Sequence, residues 1–159
     1  MDRVSNSITN ISPIDGRYSS LTECLNVYFS EYSFIRYRIL IEIEYLIALS
    51  KIDIVDDLEE TDITYLKSIY QNFNVDEAMK VKEIEKTTNH DVKSIEYYIK
   101  NKLSEQSDIE EKGIGIFTHF ALTSQDVNSS ANVLMIKGSI KNIILPKINE
   151  ILKKLKSFI

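Results

Sequence analysis

The sequence predicts an all-α protein, and three observations carry that prediction. Only four glycines and two prolines occur in 159 residues, which leaves little turn chemistry for an architecture of many strands. Apolar residues make up 43% and charged residues 27% of the chain, as in ordinary globular proteins and unlike disordered ones. Long stretches without glycine or proline carry apolar residues at the spacing of helix faces.

The first predicted helix covers residues 25 to about 50. Ser20 followed by Glu23 has the spacing of a capping box, which satisfies free backbone N–H groups at a helix start. The following residues are good helix formers, and their apolar members cover more than one narrow stripe. Because such a helix is packed on several sides, we expect it near the core.

Two shorter helices are predicted next. Thr61 has the chemistry of an N-cap for a segment to about Asn72, since its hydroxyl can accept a hydrogen bond from a free N–H group. Asn74 and Glu77 have the spacing of a second capping box, for a segment to about Lys86. Each helix start is therefore assigned to a side-chain cap.

A further helix is predicted from about Asp91 to Ser104, followed by a loop. The apolar residues of this segment fall on one helical face. Residues 106–113 are acidic, so we expect them to form a solvated connection. The apolar face consists of Val92, Ile95, Tyr98, Ile99 and Leu103.

The last predicted helical stretch runs from about Ser124 to Ile159. Pro146 removes one backbone donor, so a kink or a break is expected there. The sequence stops without a glycine or asparagine that would end a helix, which favours a longer parent polypeptide. Apolar residues recur at spacings of four and three, typical of helix bundles. This seam consists of Ile144, Ile148, Ile151, Leu155 and Phe158.

Charge and cysteine content narrow the class of protein. The formal net charge of −5 argues against a broad nucleic-acid-binding surface, although a few cations could still hold one phosphate. Cys24 is the only cysteine, which fits a reducing compartment and offers no zinc pattern. The most apolar stretch, residues 39–49, is interrupted by Glu42 and Glu44, so we expect neither a signal peptide nor a membrane span. A cytoplasmic protein is expected.

Three polar clusters interrupt the helical pattern, and the first covers residues 12–18. Its Pro-Ile-Asp-Gly sequence predicts a tight turn that presents Arg17 and Tyr18 together. The planar guanidinium group suits phosphate. The alternative is an N-terminal turn held by an arginine salt bridge.

The second cluster covers residues 87–92 and joins two predicted helices. Asn89 or Asp91 is the expected cap of the second helix. His90 then sits at a helix N-terminus, where free N–H groups favour anions and the imidazole can add a hydrogen bond. The alternative is a capping motif whose histidine only packs.

The third cluster covers residues 117–128, at the start of the last predicted helix. Thr123 is the expected N-cap, so Thr123, Ser124 and the first backbone N–H groups could bind a carboxylate or a phosphate. The alternative is a helix cap beside a buried His119. Both histidines of the chain lie in these clusters.

At the same three clusters the sequence resembles the adenylosuccinate lyases, the bacterial-type branch in particular, within the aspartase and fumarase superfamily. The matching motifs are residues 12–18, 87–92 and 119–126, in the order of that family. The resemblance implies an N-terminal helical domain, residues 1–122, and the first part of a central long-helix bundle, residues 123–159. In that family, long helices from four subunits form a homotetramer core, and each active site takes residues from three subunits.

The resemblance also implies a reaction and its binding residues. The family eliminates fumarate from adenylosuccinate, giving AMP, and from a succinylated aminoimidazole carboxamide ribotide in purine biosynthesis, without metal or organic cofactor. Arg17 and Tyr18 would bind the phosphate of the nucleotide, His90 would support substrate orientation, and Thr123 and Ser124 would hold a succinyl carboxylate. The implied substrate-binding residues are Arg17, Tyr18, Asn89, His90, Asp91, Thr123 and Ser124.

The sequence departs from the family pattern in its catalytic residues. The family's general-acid histidine lies in a later Thr-His motif, and its general-base serine lies near a Ser-x-Met-Pro sequence. Neither has a counterpart here, because no histidine follows His119 and Met135 precedes no proline. We therefore expect no catalytic acid or base in this chain and no turnover by the chain alone.

Two alternatives remain open from the sequence. One is a sister lyase acting on another succinyl compound such as argininosuccinate, for which the Asp-Gly-Arg-Tyr sequence is a poorer fit. The other is a non-catalytic helical interaction module that binds through the seam of residues 144–158.

Overall fold

The computed structural model describes residues 9–52 and 54–158, and this part of the chain is helical with turns and without strands. The all-α prediction is therefore confirmed. The helices are α1 Ser19–Thr22, α2 Asn26–Phe29, α3 Glu31–Ser50, α4 Glu60–Gln71, α5 Val75–Thr88, α6 Asp91–Ser104, α7 Ser107–Glu111, α8 Ser124–Ser139 and α9 Leu145–Lys156. Short 3-10 turns occupy Glu23–Leu25 and Ile114–Phe117, and a π turn occupies Ile140–Ile144.

The chain divides into two compact units. Unit 1 comprises the described parts of Met1–Ser33 and Met135–Ile159, and unit 2 comprises Phe34–Leu134. The resemblance implies a different division, into domains that meet after residue 122. That division stays a prediction. None of the helices in the described ranges is both long enough and apolar enough to cross a membrane.

Unit 2 is built around α6 and the buried face of α3. α6 packs against α4, α5, α7 and the 3-10 turn Ile114–Phe117. The α6 helix has the predicted bounds, and its whole predicted apolar face is buried. Burial of each large aliphatic side chain stabilises the fold by roughly 1.5–3 kcal/mol. The α3 side chains in this core are Ile35, Ile39, Ile43, Leu46, Ile47 and Leu49.

The predicted first helix is interrupted at Ser30. The backbone of Ser30 is extended, with ψ of 159°, and its hydroxyl oxygen accepts a hydrogen bond from the N–H of Ser33 at 3.2 Å. Ser30 is therefore the N-cap of α3, which begins at Glu31. The predicted cap at Ser20 was wrong, because Ser20 lies inside the short helix α1.

Two predicted caps have different outcomes. Asn74 caps α5, since its side-chain oxygen accepts from the N–H of Glu77 at 3.0 Å. The predicted cap at Thr61 was wrong. Glu59 caps α4 in a capping box, in which its carboxylate accepts from the N–H of Asp62 while the Asp62 carboxylate accepts from the N–H of Glu59. A glutamate is outside the usual set of cap residues, so the sequence rules miss it.

Residues 106–113 were predicted to form a solvated connection, and this prediction was wrong for the middle of the segment. Residues Ser107–Glu111 form α7, and Ile109 of this short helix is buried. Gly113 then adopts φ of 64°, a left-handed conformation that glycine allows. The turn returns the chain to the core, where Ile114 is buried.

A kink or a break was predicted at Pro146, and the structure has a wide helical turn just before this residue. The N–H of Leu145 donates to the carbonyl of Ile140, five residues back, as in a π turn. Pro146 follows in the first turn of α9, the part of a helix in which proline is best tolerated. Unit 1 also holds Gly138 against Tyr28, because a Cβ at that glycine would lie 2.5 Å from the tyrosine ring.

Candidate substrate-binding site

The turn at residues 12–18 belongs to unit 1 and presents an exposed cation. The carbonyl of Ser12 accepts hydrogen bonds from the N–H groups of Asp15 and Gly16, at 3.2 and 3.1 Å. The guanidinium group of Arg17 lies 4.6 Å from the ring centre of Tyr18. Arg17 makes no ion pair within the described residues, so its donors stay available to an anion.

The turn between α5 and α6 belongs to unit 2 and places His90 at a helix start. Asn89 ends α5 in the left-handed conformation, with φ of 50°. His90 is extended, and its Nδ1 accepts a hydrogen bond from the N–H of Lys93 at 3.1 Å. The expected cap at Asn89 or Asp91 was therefore wrong. Imidazole is not among the usual cap side chains, although its lone pair suits the task.

Asp91 is held by an ion pair instead of acting as the cap. Its Oδ2 accepts from Nη2 of Arg38 at 2.7 Å, and its Oδ1 accepts from the N–H of Val92 at 2.9 Å. Burial alone would raise the pKa of Asp91, but the charge and the hydrogen bonds outweigh burial and lower it below its usual value. Nδ1 of His90 lies 3.8 Å from Oδ1, but it accepts from Lys93 and has no proton to donate there.

Arg38 contacts both α6 and α8, and this role was not predicted from the sequence. It is 5% exposed and stacks over the ring of Phe34 at 3.7 Å. Its Nε donates to the side-chain oxygen of Asn128 at 2.8 Å. A single guanidinium group therefore joins α3, the start of α6 and the second turn of α8. The available signal was a cation next to the apolar residues Ile35 and Ile39 of the predicted helix.

Glu42 lies one helical turn after Arg38 and holds His119. It is 2% exposed. Its Oε2 accepts from the backbone N–H of His119 at 3.1 Å, and its Oε1 lies 2.5 Å from Nδ1 of the same residue. Burial raises the pKa of Glu42, and the hydrogen bonds and charge of His119 offset only part of the rise. Two left-handed residues, His119 and Ala121, shape this turn, with φ of 63° and 56°.

The start of α8 offers one free hydroxyl group. The N–H and the hydroxyl of Thr123 both donate to Oδ2 of Asp126, each at 2.7 Å. Thr123 therefore sits before the helix as expected, but its hydroxyl proton is engaged. The hydroxyl of Ser124 makes no hydrogen bond to another described residue and can donate to a ligand.

The structure places the seven predicted residues in both units. Arg17 and Tyr18 lie in unit 1, and the five others lie in unit 2. In unit 2, Arg38 ties the turn at residues 89–91 to α8, four residues beyond Ser124. Across the described ranges, no group of three or more His, Cys, Asp or Glu side chains could hold a metal ion.

A separate cleft of about 210 Å³ in unit 2 was not predicted. Its polar groups satisfy one another, because Tyr98 donates to Glu77 at 2.6 Å and Tyr65 donates to the carbonyl of Lys102 at 2.5 Å. Burial alone would raise the pKa of Glu77, but Lys80, Tyr98 and Lys102 together lower it to about 2. This network joins α4, α5 and α6.

Comparison with known proteins gives consistent results. A family model described as Lyase matches residues 16–157. The chain is 44% identical over 158 residues to an adenylosuccinate lyase of Dictyostelium discoideum, covering 96% of this chain and 34% of the relative. It is 44% identical over 155 residues to an adenylosuccinate lyase of Buchnera aphidicola subsp. Schizaphis graminum, with the same coverage of both chains. The Escherichia coli (strain K12) adenylosuccinate lyase is 36% identical over 153 residues, with 94% and 33% covered. The chain spans about a third of the length of these curated relatives.

Proposed function

This chain belongs to the lyase family that matches residues 16–157, and from that premise we propose that it supplies the N-terminal third of an adenylosuccinate lyase. The observation that carries the proposal is the 44% identity, over 96% of the chain, to a relative of that name. The three polar clusters fall within this span. The proposed activity belongs to the chain together with the remaining two thirds of such an enzyme.

The proposed reaction is elimination of fumarate from adenylosuccinate. A base removes a proton from the succinyl carbon, the carbon–nitrogen bond breaks, and an acid protonates the nitrogen that leaves with AMP. Negative charge accumulates on a succinyl carboxylate before the bond breaks, so fixed donors near it lower the barrier. The acid and the base come from outside this chain, whose contribution is binding and orientation.

The described geometry supports distinct binding roles. Arg17, stacked on Tyr18 and without an ion pair among the described residues, is proposed to hold the nucleotide phosphate. Ser124 has a free hydroxyl group at a helix start and is proposed to donate to a succinyl carboxylate, with Thr123 beside it. His90 has Nδ1 committed to the cap, so Nε2 is the nitrogen proposed to contact substrate.

Assembly and location are part of the same proposal. α9 carries a row of exposed apolar side chains in the described part of unit 1, among them Ile148, Ile151 and Leu155. Such a row favours packing against further helices, which supports a homotetramer with a shared helical core. A metabolic role on a purine nucleotide supports a cytoplasmic location.

A chimera tests the proposal directly. The matching N-terminal third of the Escherichia coli relative is replaced by this chain, and adenylosuccinate consumption is followed beside the chain alone. We expect turnover by the chimera and none by the isolated chain. A folded, assembled chimera without turnover would contradict the proposal.

Variants of the chimera test the binding roles. We expect Arg17→Ala and His90→Ala each to lower kcat/KM by about 100-fold, as loss of a charged or directed hydrogen bond costs roughly 3 kcal/mol. Lys51→Ala, which removes an exposed cation outside the clusters, is the matched control and should retain activity. Equal activity of all three variants would refute the assigned roles.

A further inference from the structure

The two histidines of the chain use the same ring nitrogen in opposite ways. Nδ1 of His90 accepts a hydrogen bond from the backbone N–H of Lys93 at 3.1 Å. A nitrogen that accepts has its lone pair free, so the proton of the neutral His90 ring sits on Nε2. His90 therefore presents an N–H donor beyond its cap bond.

His119 faces a carboxylate through its Nδ1. Oε1 of Glu42 lies 2.5 Å from this nitrogen, and Oε2 of Glu42 accepts from the His119 backbone N–H at 3.1 Å. Burial raises the pKa of Glu42, and the hydrogen bonds from His119 act against that rise. Because both carboxyl oxygens of Glu42 face nitrogens of His119, we assign Glu42 as the acceptor and place the shared proton on Nδ1. The backbone N–H favours the ionised carboxylate further, because it donates to the second oxygen.

We propose that Glu42 is a positioning residue that fixes His119 in the Nδ1–H tautomer and leaves Nε2 as a hydrogen-bond acceptor. The side chain of His119 is 18% exposed, so a ligand can reach it. The group that fits there is a hydroxyl or amine donor, whereas the Nε2–H of His90 fits an acceptor. Contact with a ligand rests on the proposed function, but the tautomer does not.

The backbone of this turn shows why one carboxylate holds two atoms of the same residue. His119 and Ala121 are both left-handed, at φ of 63° and 56°, a conformation that costs non-glycine residues roughly 1–3 kcal/mol each. Glu42 offsets that cost by binding the N–H of the strained residue. Because Glu42 is buried on α3, its position is fixed by the core, and the ring orientation of His119 follows from it.

Nitrogen NMR of the chain labelled at histidine tests the tautomers without any need for turnover. At pH of about 8.5, above the ordinary titration range of imidazole, the two rings should give opposite patterns of ring-nitrogen shifts. We expect Nε2–H for His90 and Nδ1–H for His119, with signals assigned by the variant His90→Gln. An Nε2–H pattern at His119 would overturn the proposal.

Two variants test the role of Glu42 itself. In Glu42→Gln, the amide can donate its NH₂ group to Nδ1, so we expect His119 to reverse to the Nε2–H tautomer while His90 is unchanged. Glu42→Asp keeps the carboxylate and should keep the Nδ1–H pattern. An unchanged His119 in a folded Glu42→Gln protein would overturn the proposal, and if that variant does not fold, the native spectrum decides. A chimera without turnover but with opposite tautomers would refute the proposed function alone.

Discussion

The turns that carry His90 and His119 hold their histidines by different means. His90 is exposed and bonds to the backbone three residues away. His119 is mostly buried, has left-handed backbone, and bonds to Glu42, 77 residues away in the sequence. The first arrangement depends on local chain geometry, and the second depends on the packing of α3. We therefore expect the two turns to respond differently to substitution and to pH.

The largest expected difference is in the cost of removing each partner. Glu42→Ala leaves the half-buried N–H group and the ring nitrogen of His119 without their carboxylate partner, so we expect the free energy of unfolding to fall by about 3 kcal/mol. His90→Ala removes one cap bond and should cost about 1 kcal/mol. Urea denaturation of the chain measures both. Equal costs would show that the turn at His119 depends on packing no more than the turn at His90 does.

A smaller effect is expected from the left-handed residues. Ala121→Gly removes the clash of a Cβ with the left-handed backbone and should raise the free energy of unfolding by about 1 kcal/mol. Asn89→Gly, in the other turn, should change it by only a few tenths of a kcal/mol, since asparagine tolerates this conformation. Thermal denaturation compares the two. If Asn89→Gly raised the free energy of unfolding as much as Ala121→Gly, the backbone of the two turns would be equally strained, contrary to this prediction.

The smallest expected effect is an opposite dependence on pH. The pKa of Asp91 is lowered in the folded state, so its stabilisation is present above the usual value of 3.8 and is lost as the pH falls through the folded pKa. The pKa of Glu42 is raised in the folded state, so its stabilisation is present below 4.5 and is lost as the pH rises through the folded pKa.

Neutral variants of Asp91 and Glu42 separate the pH dependence of each carboxyl group from that of the rest of the chain. The destabilisation caused by Asp91→Asn should shrink as the pH is lowered below 3.8, and that caused by Glu42→Gln should shrink as the pH is raised above 4.5. Carboxylates that do not interact with Asp91 or Glu42, such as Glu77, titrate in native and variant chains alike and cancel from the difference. Urea denaturation at several pH values measures it. Parallel trends for the two variants would contradict the assigned directions.

Some local features of the fold could be predicted from the sequence, and others could not. The bounds of α6 and the cap at Asn74 were predicted because an apolar face and a side-chain cap depend on residues within a few positions. The break at Ser30 was missed, although it too is local, because serine within a run of helix formers also fits a continuous helix. The cap at Glu59 was missed because glutamate rarely serves as one.

In the candidate site, contacts between residues far apart in the sequence were the ones that could not be predicted. The positions of His90 and Thr123 at helix starts followed from the sequence. Arg38 did not, because its partners Asp91 and Asn128 lie 53 and 90 residues away, and only the folded core brings them to one guanidinium group. A charged residue that is buried in a helix needs a polar partner, but the sequence does not show which residue that partner is.

The π turn at Ile140–Ile144 changes how a row of exposed isoleucine side chains winds around the helix axis in unit 1. Ile136, Ile140, Ile144 and Ile148 recur every four residues and are all exposed. In a regular α-helix, four residues cover about 400°, so such a row winds around the axis by about 40° at each step. The π turn spreads one extra residue over a revolution and offsets part of that winding. The row is therefore straighter than an uninterrupted helix would make it, a shape that a neighbouring helix can follow over several turns.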